Sequence, residues 1–320
     1  GMDFAYTGIS SMGNNSLLYN VRIDSCTILG AQYGIAMEHP NSGEHQLLCV
    51  RDNYIKAQHT CFYVMGGTHI NDISYNTFTM DMDSKAENTY LLNIIGKTRV
   101  SYDTARMIGN KFRFDVNPNG RDFTNNWEVL AVVPTEAFII ANNEFYLPNN
   151  AAFSRADIVL SDNENIHFIN NSLLSYVPNT HISFRYSSGI GLIKNNNFAA
   201  MQGGNMMTFD NFNISESDYN NMYSKDFSLS SWQSVTGQDL HSTALIPYYV
   251  DIREDLDLLD DGGMECIMDP LIFMDANRIL RDSITTMGAY QVTAKDNNVF
   301  PRELISPTVA SIVGNSTSVE

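Results

Sequence analysis

Five charged residues, Arg22, Asp24, Arg51, Asp72 and Arg106, fall at matching places in four successive segments of the chain. An aspartate can take or give a proton while a guanidinium neutralises an anionic group, so such a set holds the parts of an acid–base site. Asp24 and Asp72 would equally suit calcium, a hard cation that selects oxygen ligands. Lys194 and His167 stand at equivalent places further along and, with Arg22, are candidate substrate-binding groups. The bland reading is that alternating charges on a solvent-facing sheet pair across strands and keep the surface soluble. Lys194 and His167 have no carboxylate partner at motif spacing, which favours surface groups over a catalytic base.

The equivalence of these places rests on a repeated phrase. "NIHFINNSLL" at 165–174 reads as a strand that stops at asparagine and then returns an apolar residue to the core. The same phrase recurs at Asn53, Asn76, Asn110, Asn143, Asn171, Asn196 and Asn221, with Cys26 in the first Asn slot, at intervals of 27, 23, 34, 33, 28, 25 and 25 residues. A period of that size with a constant core phrase is the signature of a solenoid.

Three residues before each Asn stands an apolar side chain (Ile23, Val50, Ile73, Met107, Ile140, Phe168, Ile193), and the candidate charged residues lie four and two before it. That is the period-2 alternation of a strand with one buried face. The first four rungs gather the charges, and the equivalent positions of later rungs are nearly apolar. Asparagine suits the bend because it tolerates the left-handed backbone region. Identical amides stacked at about 4.8 Å would form a hydrogen-bonded ladder. A second apolar strand follows in each rung, and the inserts between are rich in Asn, Asp, Gly and Pro. The inserts at 113–127 and 146–155 are the places to expect a groove.

These phrases resemble the PbH1-type repeat of pectate-lyase-like proteins, in which I-x-N-N-x-F is the recurring turn; the likeness covers about residues 15–225. The resemblance implies an all-β, right-handed, single-stranded parallel β-helix of about eight coils. "DYNNMYSKDFSLSSWQSVTGQD" at 218–239 is similar to the closing segment of secreted Bacteroidetes β-helix proteins, matching at Asp218, Tyr219, Asn220, Trp232, Thr236, Gly237 and Asp239. "DANRILRDSITTMGAYQ" at 275–291 is similar to their ending, matching at Asp275, Asn277, Arg281, Gly288, Ala289 and Tyr290. It departs from that ending at Arg278, where the family has Gly, and at Gln291, where it has Glu. The repeat and the resemblance divide the chain into a β-helix at 1–225 and a short helix and C-terminal capping segment at 226–291; after Gln291 the Pro punctuation and the alternating V-A-S-I-V read as a linker or first strand of a following β-sandwich-like module at 292–320.

In β-helix lyases and hydrolases the groove lies along the first sheet. The resemblance therefore implies Arg51 and Arg106 as cations facing a uronate, with Asp24 and Asp72 as acid/base or calcium ligands. The N-T-D, G-H-G and R-I-K phrases of polygalacturonase-like hydrolases are absent, as is the R-x-P-x-x-R phrase of classical pectate lyases. No G-x-S-x-G, Walker loop or zinc-ligand motif is present. The acidic run Asp251, Glu254, Asp255, Asp257, Asp260 and Asp261 is oxygen-rich, but its spacing does not match the EF-hand loop and reads as a solvated acidic turn.

Composition sets outer bounds. With 320 residues, 43% hydrophobic and 17% charged, the chain can build a core. A net charge of −17 argues against nucleic acid, which needs a basic stripe. No apolar run reaches the roughly 18 residues of a membrane span, and no signal peptide is visible. Four cysteines without a CxxC read as buried free thiols, the other option being a Cys49–Cys61 disulfide. The leading expectation is an exported or surface-attached β-helix that binds polysaccharide, with lyase or glycoside hydrolase cleavage left open. The alternative is a non-catalytic, adhesin-like solenoid that displays other domains of the same larger protein.

Overall fold

The structure, a computed structural model, describes residues 7–12, 20–39, 46–66, 68–80, 90–95, 105–114, 127–132, 138–148, 156–161, 165–185, 190–204, 207–210, 213–252 and 255–292. Most of the 113–127 and 146–155 inserts, and all but the first residue of the 292–320 segment, lie outside the described residues.

The chain winds into a parallel β-solenoid. The first sheet stacks eight strands: Val21–Asp24, Gln46–Arg51, Thr68–Ser74, Ala105–Ile108, Phe138–Ala141, Ile166–Ile169, Ile190–Lys194 and Asn213–Asp218. After each bend the chain enters a second, 14-stranded sheet that wraps the other sides. Five consecutive circuits, from Thr68 to Asp210, carry three separate strands each. The solenoid thus has about five full turns rather than the expected eight. In the first two rungs the second and third strands merge into single 13-residue strands, Thr27–His39 and Tyr54–Gly66. The first of these bends at a register shift around Gly30. The last rung carries one short strand after its bend, Asn221–Ser224.

The period-2 pattern places the core as expected. Val50, Ile73, Met107, Ile140, Phe168 and Ile193 are fully buried, and Ile23 nearly so. On the far side of the bend Phe78, Phe112 and Phe145 stack face to face, with centroids 5.2 and 4.9 Å apart. Such pairs add roughly 0.5–1.5 kcal/mol each beyond their burial.

Asparagine works differently at the bend than its tolerance of left-handed backbone suggests. The left-handed residue is the one before the ladder position: Ser25, Asp52, Tyr75, Gly109, Asn142, Asn170, Asn195 and Tyr219 all have φ between 53° and 67°. The next residue supplies the amide. Side-chain Nδ2–H groups donate along Asn53, Asn76, Asn110, Asn143, Asn171 and Asn196 at 2.9–3.1 Å. The column ends on Asn220, at 2.9 Å from Asn196, and not on Asn221. Asn221 instead pairs with Asn197 one position along. Consistently, Met222 and not Tyr223 is the buried residue of that rung.

Residues 226–242 close the end of the solenoid. Helix Leu229–Thr236 starts at Ser228, whose hydroxyl accepts from the Ser231 amide, and stops at left-handed Gly237. Phe227, Leu229 and Trp232 pack against the main core. Asp239, fully buried, accepts from Asn220 Nδ2, Ser217 Oγ, Ser242 Oγ and Trp232 Nε1, so a carboxylate absorbs the last unpaired amide of the ladder.

The remaining segment, to Val292, starts on the last rung, where Thr243 and Leu245 bond to Asn220, Asn221 and Met222. It turns back as a strap along the bends, from Asn221 to Asp52. Thr243 pairs with Asn221, and Asn195 Nδ2 donates to the Ile267 carbonyl. Asn142 Nδ2 donates to the Met274 carbonyl, and Arg278 pairs with Asp52. A second cluster forms between strap and sheet from Leu174, Ala199, Tyr249, Leu256, Met287 and Tyr290. At its centre the buried Glu144 carboxylate receives Arg113, the Leu256 amide and the Tyr290 hydroxyl. The Tyr290 proton is correspondingly held far more tightly than usual, chiefly through burial and then through the adjacent Glu144 charge.

Candidate functional site

Strand register brings the sequence candidates onto one surface. Arg22 lies opposite Cys49, Cys49 opposite Asp72, and Asp72 opposite Arg106; beside them Asp24 faces Arg51 and Arg51 faces Ser74. The column continues through Ile139 and His167 to Leu192 and Glu216, and its neighbour through Ile108, Ala141 and Ile169 to Lys194 and Asp218. All seven candidates therefore share the outer face of the first sheet.

That face is divided into three parts. Over the first four rungs it is polar and open, with Arg22 and Arg106 exposed. Over the middle rungs the apolar positions are covered by the strap: Ile272 packs on Ala141 and Ile169, with Ile108, Ile139 and Leu192 around them. At the last rungs a second polar patch appears. There Lys194 pairs with Glu216 at 2.8 Å, and His241 Nδ1 lies 2.6 Å from Asp218 with its ring stacked on Tyr219.

Within the open patch, Arg22 pairs with Asp24 along one strand, and Arg51 reaches across a rung to Asp72, which also accepts from Ser74 Oγ. Arg106 makes no ion pair among the described residues. Cross-strand pairing at this spacing is the ordinary stabilising arrangement of a sheet surface. Solvent screens such exposed pairs, so they add little to stability. The arrangement presents guanidinium donors and carboxylate acceptors side by side, and both aspartates already have a cation.

Three further residues flank this patch that the periodic reading passes over. Asp52 and Tyr75 occupy the left-handed bend positions of their rungs, and Arg278 of the strap both pairs with Asp52 and lies over the Tyr75 ring, 3.9 Å from its centroid. Burial raises the Tyr75 pKa, with Arg278 acting against it. Arg278 is itself left-handed, at φ 64°.

His167 sits outside this group, half-buried under the strap. Burial lowers its pKa, opposed by Asp269, so the ring is neutral near pH 7. Among the described residues no group of three or more His, Cys, Asp or Glu side chains could hold a metal. Glu254 of the acidic run lies outside them. The four cysteines are free: Cys61 is buried inside the solenoid, while Cys49 lies on the outer face of the first sheet. No helix among the described residues is long and apolar enough to cross a membrane.

Comparison with protein-family models, with curated proteins and with solved structures yields no match to this chain.

Proposed function

We propose that the protein is an exported, surface-attached β-helix module of the pectate-lyase-like kind, which engages a polysaccharide along the open half of its first sheet. The observation that carries this reading is the division of that face. The strap closes the apolar middle rungs and leaves the first four rungs open, with Arg22 and Arg106 exposed and Asp24, Arg51 and Asp72 partly exposed between them. A row of charged donors and acceptors repeating every rung suits a chain of hydroxyl-bearing units, whose groups exchange with water at such a surface. Tyr75, Asp52 and Arg278 extend the surface at its edge.

Binding is favoured over cleavage. A lyase or glycoside hydrolase step would have to run through Asp24 or Asp72, and each is held by an arginine. The same pairing favours the second reading, a non-catalytic solenoid that displays other domains of a larger protein.

A broad panel of polysaccharides separates the two. The full chain should bind at least one, and Arg51→Ala with Arg106→Ala should weaken that binding at least tenfold while the urea midpoint stays within error. Wild-type protein that binds no glycan, or a double variant that binds as well as wild type, would overturn the glycan reading in favour of the scaffold.

A further inference from the structure

Within the strap, residues 265–274 and 280–286 run antiparallel as a ribbon whose turn is 275–279. Ile267 lies opposite Ile284, the Arg281 amide donates to the Phe273 carbonyl, and Met274 bridges Leu280. One face docks on the solenoid, and on it Cys266, Ile272, Arg281 and Thr285 are buried. The other face is apolar. It holds Ile267, Leu271, Phe273, Ile279, Leu280 and Ile284, six of the 12 large hydrophobic side chains exposed among the described residues. Taking about 200 Å² for a large side chain in full, these six at 44–65% exposure present roughly 600 Å² of apolar surface. Singly exposed apolar residues need no explanation, but a patch of this size marks an interaction surface.

Area and charge both select a second copy of this chain as the occupant. Two such patches laid face to face remove about 1,200 Å² from water, the size at which specific protein interfaces begin. The ribbon also carries opposite charges at its two ends. Glu265 is exposed at the open end, and Arg278 stands in the turn with 51% of its side chain exposed although it pairs with Asp52. A two-fold axis through the middle of the ribbon reverses one copy against the other, so Glu265 of each meets Arg278 of the other. Copies with a net charge of −17 repel at long range, which favours the one pairing that brings opposite charges together at the contact. Asp282, between Leu280 and Ile284, accepts from the Gln291 amide at 2.7 Å and enters the contact with a donor of its own.

We propose that the protein pairs with a second copy of itself through the outer face of this ribbon, Ile267 and Ile284 of one copy packing on Phe273 and Leu280 of the other. Sedimentation of the full 320-residue chain tests this. The wild type should pass from monomer to dimer between about 1 and 100 μM. Phe273→Asp with Leu280→Asp should raise the dimer Kd at least tenfold. Both positions are exposed, so the urea midpoint should confirm an intact solenoid. Glu265→Arg should weaken the dimer by setting two arginines together, and adding Arg278→Glu should restore it. A chain that stays monomeric at about 100 μM, or a Phe273→Asp, Leu280→Asp variant that dimerises as tightly as wild type, overturns the proposal. A charge exchange that leaves the dimer no tighter than Glu265→Arg alone overturns the two-fold pairing through this face.

Discussion

A ladder amide has two donor hydrogens and two acceptor lone pairs, and at Asn143 all four are used. Its Nδ2 donates to the Met107 carbonyl and to Asn171, and its Oδ1 accepts from the backbone and side-chain nitrogens of Asn110. Removing it strands several buried polar groups at once, each costing roughly 1–3 kcal/mol unpaired. Asn143→Ala should therefore lower stability by about 3–5 kcal/mol in urea unfolding. Asn53 stands next to Cys26, which has no amide to offer, so its Oδ1 accepts only the Cys26 backbone N–H. Its Nδ2 still makes both of its bonds, so Asn53→Ala loses three bonds where Asn143→Ala loses four and should cost correspondingly less; an equal or larger cost would show that the column does not act through its amides. The ladder was legible in the sequence, but the division of labour within each Asn-Asn pair was not. Where only one residue of the pair is Asn, as in Tyr75-Asn76 and Gly109-Asn110, the second is the ladder residue and the first is left-handed. Applied to Tyr219-Asn220-Asn221, that rule selects Asn220.

At the scale of elements, the strap is the part that periodicity could not place. Its contacts join residues more than a hundred positions apart, such as Tyr290 with Glu144 and Arg281 with Asn142, and most run from a side chain to a backbone group. The sequence did show that the outer positions of the middle rungs are apolar. It could not show that Ile272 covers them, because nothing in the strap repeats. The residues of 275–291 that the sequence singles out act in holding the strap together. Asp275 accepts three backbone amides, and buried Arg281 gathers the Thr286, Gly288 and Ala289 carbonyls, with burial lowering its pKa to about 10. Gly288, at φ 102°, lies so close to the sheet that a Cβ would meet Ser172 Oγ at 2.6 Å and Asn197 Cβ at 3.0 Å. Gly288→Ala combines that clash with a strained backbone and should weaken strap docking by about 2–4 kcal/mol. Hydrogen exchange should then rise across 264–291 and leave the ladder rungs protected. Unchanged exchange in the strap would mean that it is held without this close approach.

For the whole molecule, the deciding property is how much titratable chemistry is buried with the apolar core. Burial pushes the Cys61 and Cys266 thiols and the Tyr176 hydroxyl up to about 12, and raises Tyr249 and Tyr290 further still. In the unfolded chain thiols titrate near 9 and tyrosines near 10. Above pH 9 the unfolded state therefore binds fewer protons than the folded state, and the free energy of unfolding falls as pH rises. Arg281 acts in the opposite sense, because its folded pKa of about 10 lies below 12.5, so its contribution grows with pH between those values. Five groups against one set the net direction. Stability should be level from pH 6 to 8 in respect of these groups, then decline from pH 9 upward, read as the urea midpoint at pH 7, 9 and 10.5. Replacing Cys61 by Ala removes one titrating group without adding bulk, so its decline should be shallower than wild type even if its midpoint at pH 7 is lower. A midpoint that holds steady to pH 10.5, or a Cys61→Ala slope equal to wild type, would mean that these side chains are not sealed between rungs and strap.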